Sequence, residues 1–249
     1  MKTNKLDKKA NTIAMQLGKE ASFPADRAIE TSIKENDQTF FKDIQTENSD
    51  ISFVPPWDTG HIIIRHRIAD FFFLWSAEPK EEDILYTIDL YHKTGEKPMM
   101  YEFGVEYITS QRRSDLLIEG DVITIRTPYA IALERMNRKE DISPYLHSYM
   151  DDLFGDILAT FFRTIAWFNY LMEHPDHKQI KKTPSGVEMN GLRITADTPT
   201  LKKIRSKQIR RVCTLWTVSG HIRHYKNGKT VYIKPYLKGK NRKAYQHEH

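Results

Sequence analysis

Residues 84–108 read ILYTIDLYHKTGEKPMMYEFGVEYI and alternate between apolar and polar side chains. Apolar side chains occupy every second position of 84–90 and again of 99–107, and Thr94-Gly95 gives a turn signal between them. Because successive side chains of a strand point to opposite faces, this period of two predicts two strands that each bury one face. A third strand is predicted at 122–127, and three neighbouring strands with short connections favour an antiparallel meander.

The next strong pattern is helical and runs from Pro144 to about residue 173. Ser143 is a favourable N-cap, and Pro144 suits the first turn of a helix. Apolar side chains then recur every three or four residues until His174-Pro175 ends the pattern. We therefore expect an α+β fold whose core, at 51–175, is an antiparallel sheet packed on one long amphipathic helix.

The chain before this core is predicted to be an N-terminal helical segment at 1–50. Its pattern at 5–36 divides into two helical pieces, and the second opens at Pro24. The apolar run at 62–75 is compatible with a strand or with a buried helix, because periodicity does not separate the two in a short run.

The chain after the core changes in composition. Residues 176–206 are rich in Pro, Gly, Lys and Thr, so we interpret them as a linker with a short strand at 192–195. In 212–239, short runs of β-branched and aromatic residues flank Asn227-Gly228, which is typical of a hairpin with a type I′ turn. A small basic β-hairpin module is therefore predicted at 207–249.

The aromatic and cationic side chains of this module suit a polyanion or an acidic partner. We take them as the predicted nucleic-acid or partner-binding residues. They are Arg210, Arg211, Trp216, Gly220, His221, Arg223, His224, Tyr225, Lys226, Lys229, Tyr232, Lys234, Tyr236 and Lys238.

Charge is unevenly distributed along the chain. The formal net charge is +5, but residues 201–249 contain 14 Lys and Arg and one acid, Glu248. The remaining residues contain 24 bases and 32 acids, so the body is acidic and the tail is basic. This segregation indicates an anionic partner for the tail, and docking of the tail on the acidic body is the alternative.

Composition also bears on the compartment. The single cysteine, Cys213, excludes an internal disulfide and fits a reducing environment. The first residues are polar with no apolar run behind them, and no apolar stretch reaches about 18 residues, so neither a signal peptide nor a transmembrane helix is expected. We expect a soluble protein in the cytoplasm of a bacterial host, with no membrane partner.

Three kinds of chemistry are alternatives to binding alone: a metal site, a phosphate-binding cofactor site and a nuclease site. Cys213, His221 and His224 lie close in sequence, but residues three apart in a regular strand face opposite sides, so no metal site is predicted. No phosphate-binding glycine motif is present, and we expect no cofactor. A metal-dependent nuclease stays open, because such an enzyme needs clustered carboxylates. The acids in the sheet region are Glu102, Glu106, Asp115, Glu119 and Asp121.

A second cationic motif, Arg65-His66-Arg67, lies in the sheet region. It is compatible with a small cationic binding face. Charged residues that protect a strand edge from pairing are the alternative.

Two segments resemble the second family of type V-A anti-CRISPR proteins, which phages and other mobile elements encode. One is Ser-Gly-His-Ile-Arg-His-Tyr at 219–225, followed by a basic aromatic strand, and the other is the apolar helix ending Leu-Met-Glu-His-Pro-Asp at 171–176. Their order and separation also match, and together they cover about a third of the chain.

The resemblance implies a non-enzymatic inhibitor. That family acts on production of the CRISPR effector nuclease, through recognition of the nascent effector chain and loss of its message. We therefore expect a mobile-element protein that binds a host protein or nascent peptide, and RNA or the ribosome, to down-regulate a defence effector. A metal-dependent nuclease or another nucleic-acid-binding phage or plasmid protein is the alternative.

Overall fold

A computed structural model describes residues 5–32, 51–113, 120–137 and 155–206, and shorter segments beyond them. Those segments are 216–218, 220–224, 229–234 and 236–238. The chain divides into two units, Met1–Lys207 and Gln208–His249, and each is described by itself.

The first unit contains eleven strands and four helices within its described residues. The strands are β1 Arg27–Ser32, β2 Ile51–Ser52, β3 Thr59–Arg65, β4 Asp70–Lys80, β5 Asp83–Lys93, β6 Met100–Ser110, β7 Arg112–Arg113, β8 Asp121–Arg126, β9 Ile180–Thr183, β10 Gly186–Met189 and β11 Leu192–Ala196. The helices are α1 Lys5–Glu20, α2 Pro128–Arg135, α3 Gly155–Glu173 and α4 Thr198–Arg205.

Nine of these strands form one sheet in the order β8-β6-β5-β4-β3-β1-β11-β10-β9. β5, β6 and β8 are antiparallel neighbours, as the alternating pattern predicts. β1 is parallel to β3 and antiparallel to β11, so the sheet is mixed. The α+β class is therefore confirmed, but the expected antiparallel sheet is a mixed one, because β1 from the N-terminal segment pairs in parallel with β3.

Three local expectations change in the structure. The predicted second helical piece after Pro24 is wrong over Arg27–Ser32, which is β1, because Ile29 and Thr31 alternate with less buried neighbours between two partner strands. The ambiguous run at 62–75 is part of two antiparallel strands, β3 and β4. The segment interpreted as a linker contains β9, β10, β11 and α4, and the short strand expected at 192–195 lies within β11.

Aromatic side chains join α3 to one face of the sheet. The ring of Phe161 lies 5.2 Å from that of Phe73 and 5.8 Å from that of Tyr86, measured between ring centroids. The ring of Phe162 lies 5.1 Å from that of Tyr107. All five side chains are buried, and the larger hydrophobic core lies here. The predicted helix residues 143–154 lie outside the described residues.

The other face of the sheet is covered by α1 and α2. Leu6 and Ile13 of α1 and Ile131 of α2 pack with Tyr91 and Tyr101 of the sheet in a second core cluster. The strands are therefore buried on both faces, which explains why an apolar run such as that of β4 does not alternate cleanly.

α2 and α4 each begin at a side-chain cap. Thr127 Oγ1 accepts a hydrogen bond from the Ala130 amide at 3.2 Å, and Asp197 Oδ1 accepts one from the Thr200 amide at 2.9 Å. Both caps satisfy amides that the first turn of a helix leaves unpaired. Hydrogen bonds from the Thr200 side chain and then from its amide lower the pKa of Asp197, because both stabilise the ionised carboxylate.

Candidate nucleic-acid interface

The second unit contains four short strands: β12 Trp216–Val218, β13 His221–His224, β14 Thr230–Ile233 and β15 Tyr236–Lys238. β13 pairs with β14, and β12 pairs with β15, both antiparallel. Trp216 lies opposite Lys238 and His224 lies opposite Thr230, so every pair in both sheets is centred on residue 227. The two sheets therefore follow one common register.

This register differs from the one that the type I′ turn predicts. A two-residue turn at Asn227-Gly228 would pair residue 226 with 229, and therefore 224 with 231. The structure pairs His224 with Thr230, so the predicted register is wrong by one residue. Residues 225–228 themselves lie outside the described residues. A shift of one residue moves each side chain to the other face relative to its partner strand.

The register decides which side chains share a face. Ile222 lies opposite Tyr232, and the two are 60% and 62% exposed. Arg223 lies opposite the half-buried Val231. Neighbours along a strand point to opposite faces, so Arg223 and Tyr232 lie on opposite faces of the strand pair. The cation and the aromatic ring, predicted as one surface, are thus separated.

The remaining predicted binding residues fall into three groups. The side chains of Lys229 and Lys234 are exposed, and Gly220 is half-buried beside β13. The structure gives backbone positions alone for five residues in β12, β13 and β15: Trp216, His221, His224, Tyr236 and Lys238. Four lie outside the described residues: Arg210, Arg211, Tyr225 and Lys226.

The charge of the second unit is strongly positive. Gln208–His249 contains ten Lys and Arg and a single acid, Glu248. The first unit contains the other 28 bases and 32 acids. A flexible polyanion is attracted to such a field over about 10 Å at moderate salt.

The candidate carboxylates of a nuclease site do not converge within the described part of the chain. Glu102 forms an ion pair with His92. Glu106 lies opposite Thr124, whereas Asp121 lies opposite Ile108. Asp115, Glu119 and Cys213 lie outside the described residues. Across the described residues no three or more His, Cys, Asp or Glu side chains are grouped so as to hold a metal ion.

Sequence reasoning did not single out the half-buried carboxylate of Asp89. Asp89 lies opposite Gly104, which in turn lies opposite Arg126. A Cβ at Gly104 would lie 2.6 Å from both Asp89 Oδ1 and the Tyr101 hydroxyl oxygen, so a larger residue there would displace one or both side-chain ends. Burial raises the pKa of Asp89, and the Tyr101 hydrogen bond and the Arg126 charge oppose that rise.

The groups that surround Asp89 belong to the neighbouring strands of the sheet. The Tyr101 hydroxyl donates a hydrogen bond to the Arg126 carbonyl at 3.2 Å, and its ring packs edge-on against that of Tyr91, 5.4 Å away. The pKa of Tyr91 is raised to about 12 by burial and by the Asp89 charge. We interpret this group as a polar cluster of the core, since its contacts are with neighbouring strands. Its one sequence signal is an acid at a polar position of an alternating strand.

A second group that sequence reasoning missed lies after α3. The Tyr170 hydroxyl and His177 Nδ1 are 2.8 Å apart, and the Tyr170 ring stacks on His174 at 4.3 Å. Lys178, 5% exposed, donates from Nζ to the Ile204 carbonyl at 2.9 Å. Burial lowers the pKa of Lys178. This lysine caps the C-terminal end of α4, where a cation is favoured by the helix dipole.

Comparison of the chain with protein-family models, with curated proteins and with solved structures gave no match. None of the described helices combines the length and the apolar character that a membrane span needs.

Proposed function

We propose that this protein is a non-enzymatic binding protein whose basic C-terminal unit binds RNA. The observation that carries the proposal is the segregation of charge. Gln208–His249 contains ten Lys and Arg and one acid, whereas the first unit has a net negative charge. Phosphate contacts supply most of the affinity of proteins that bind nucleic acid without sequence preference, so a unit of this charge suits such a ligand.

The exposed side chains of the second unit support single-stranded RNA over a duplex. Tyr232 and Ile222 present an exposed apolar pair on one face, and Arg223 is exposed on the other. Unstacked bases pack on aromatic rings while cations follow the backbone. We also propose that the two strand pairs form one hairpin module, because they share a register centred on residue 227.

The partner of the first unit is proposed from the family resemblance. A host protein or a nascent polypeptide would bind there, while the basic unit contacts the message or the ribosome. The combined effect would be to lower production of a defence effector in the cytoplasm of a bacterial host, as the mobile-element anti-CRISPR proteins that this chain resembles do.

A pull-down tests this proposal. Tagged full-length protein is recovered from a bacterial lysate, with one half treated with ribonuclease beforehand. The proposal predicts that ribosomes or message are recovered and that nuclease treatment removes them. Recovery of one protein, equal in both halves and without RNA, would contradict RNA binding and would make the basic unit a protein-docking surface.

A further inference from the structure

A cationic cleft lies at one end of the large sheet, where the β3–β4 turn approaches the end of β5. Its volume is about 420 Å³, and Arg65, His66, Arg67, Phe72 and Lys93 line it. The register explains the grouping, because Arg65 lies opposite Asp70 and Asp70 lies opposite Lys93. Side chains directly opposite one another share a face, so charged groups of three adjacent strands meet there.

Arg65 is largely neutralised by its neighbours. Its Nε lies 3.0 Å from Glu30 Oε1, and its Nη1 forms an ion pair with Asp70. Arg193 also approaches Glu30, at 3.3 Å. Asp70, which lines the cleft, and Glu30 are therefore both paired with Arg65, and Arg65 fixes the wall of the cleft rather than attracting a ligand.

Arg67 and Lys93 are different. Both side chains are exposed, and neither forms an ion pair with any residue that the structure describes. Next to them His66 Nδ1 accepts a hydrogen bond from the Ile68 amide at 3.4 Å, so a proton on Nε2 can be donated elsewhere. The cleft therefore combines two uncompensated cations with a third donor.

The cleft also has an apolar side. Phe72 is half-buried among its lining residues, and Ile68 at the tip of the turn is 67% exposed. β3, β4 and β5 each have a partner strand on both sides, so these cations do not protect a strand edge from pairing. Here they surround a concavity whose volume falls within the roughly 300–1,000 Å³ of small-molecule sites.

We propose that this cleft binds a small phosphate-bearing ligand. A guanidinium can pair with two oxygens of a phosphate, and a lysine adds a compact positive charge. Phe72 and Ile68 would contact the organic part of the ligand. The site lies in the first unit and depends on none of the residues proposed to bind RNA.

The test uses full-length protein and two probes, inorganic pyrophosphate and adenosine monophosphate. Backbone amide shifts in NMR spectra locate each probe, because the basic second unit can also attract phosphates. The proposal predicts saturable shifts at 65–70 and 93–95 with either probe. Equal affinities would mean that the phosphate alone is recognised, and tighter binding of the nucleotide would mean that the apolar side also contributes.

Two double variants complete the test. Arg67→Ser with Lys93→Ser is expected to weaken binding at the cleft at least about tenfold, because both charge-assisted contacts to the phosphate are lost. Lys97→Ser with Lys182→Ser makes the same charge change at exposed positions outside the cleft and is expected to leave binding unchanged. Equal loss in both double variants, or shifts confined to 220–234, would overturn the proposal.

Discussion

Ile222 and Tyr232 lie directly opposite each other across β13 and β14, and each leaves about three-fifths of its side chain exposed. An exposed apolar pair of this size on a unit of high positive charge is well suited to stack bases, and it contributes little to the core of the unit. Arg223, on the opposite face, can engage a phosphate independently of that pair.

Replacement of Tyr232 is expected to show whether its ring stacks on an RNA base. Tyr232→Ala should lower affinity for single-stranded RNA by about 5- to 150-fold, which corresponds to the 1–3 kcal/mol that one stacked base contributes. Tyr232→Phe keeps the ring and should bind like the wild type. Fluorescence anisotropy with a labelled oligoribonucleotide measures both. Equal losses in the two variants would show that the hydroxyl group, not the ring, makes the contact.

Gly18 within α1 is expected to resist replacement by alanine. Alanine is favoured over glycine in a helix by about 1 kcal/mol, but a Cβ at Gly18 would lie 2.1 Å from the Met99 carbonyl oxygen. Because that oxygen belongs to the backbone, α1 must move away from the sheet, and we expect a net loss of about 1–2 kcal/mol. Urea denaturation measures the free energy of unfolding.

Asn11→Ala is the matched control for Gly18→Ala. Asn11 is exposed on the same helix, so alanine there gains helix propensity without a clash. Stabilisation by both substitutions would show that α1 does not approach β6 as closely as described.

Lys178 is expected to make the free energy of unfolding rise with pH in the alkaline range. Burial lowers its pKa from the ordinary value of 10.5, so the folded state binds this proton less tightly than the unfolded state. The cost of the buried charge is therefore present below the lowered pKa and disappears as the pH rises towards 10.5. Wild-type protein should gain stability relative to Lys178→Met across this window. Denaturation curves at pH 7 and pH 10 test the difference, and parallel pH profiles would contradict it.

The His92–Glu102 pair is expected to have the opposite pH dependence, so that its contribution to the free energy of unfolding falls as the pH rises. The hydrogen bond that His92 donates to the Glu102 carboxylate raises the pKa of His92 from its ordinary value of 6.5. The pair therefore stabilises the fold fully below pH 6.5, and that contribution is lost as the pH rises through the raised pKa. Glu102→Gln should lower the free energy of unfolding more at pH 5.5 than at pH 8.5.

Glu106→Gln serves as the control on the same strand. Glu106 lies opposite Thr124 and forms no ion pair with the described residues, so its effect should not vary with pH across this range. A pH-dependent effect of Glu106→Gln equal to that of Glu102→Gln would assign the dependence to overall charge instead of the His92 pair.

Local sequence patterns were sufficient to predict strands such as β5 in the large sheet. In β5 the side chains of Ile84, Tyr86, Ile88 and Leu90 are all buried on one face, as their alternation predicts. β1 could not be found in this way, because Ile29 is buried through pairing with Ile62 on one side and Ile194 on the other. Such pairing joins distant parts of the chain and leaves no periodic signal in a six-residue strand.

The 176–206 segment shows a related difficulty. Its Pro, Gly and Lys content is typical of a linker, yet Val187, Met189, Leu192 and Ile194 are fully buried in β10 and β11. Two apolar positions in each short strand are too few to establish a period. Only the neighbouring strands of the sheet supply the reason for their burial.

For the candidate interface, composition predicted its charge but not its geometry. The excess of cations can be read directly from the sequence, whereas the faces on which Arg223 and Tyr232 lie depend on a register that differs by one residue from the predicted one. The cleft beside Arg67 and Lys93 depends on two turns that are distant in sequence, so the motif at 65–67 alone could not distinguish a binding face from a protected edge.

The most direct test of RNA binding by the basic unit is the salt dependence of affinity for a single-stranded oligoribonucleotide. Arg223, Lys226 and Lys229 changed together to Ala should weaken binding and reduce the slope of log affinity against log salt by about two, since each phosphate contact contributes about 0.7. The control is a triple change to Ala at Lys80, Lys97 and Lys182. It removes the same charge from the first unit and should leave the slope unchanged. Equal slopes in the two triple variants and the wild type would contradict the account.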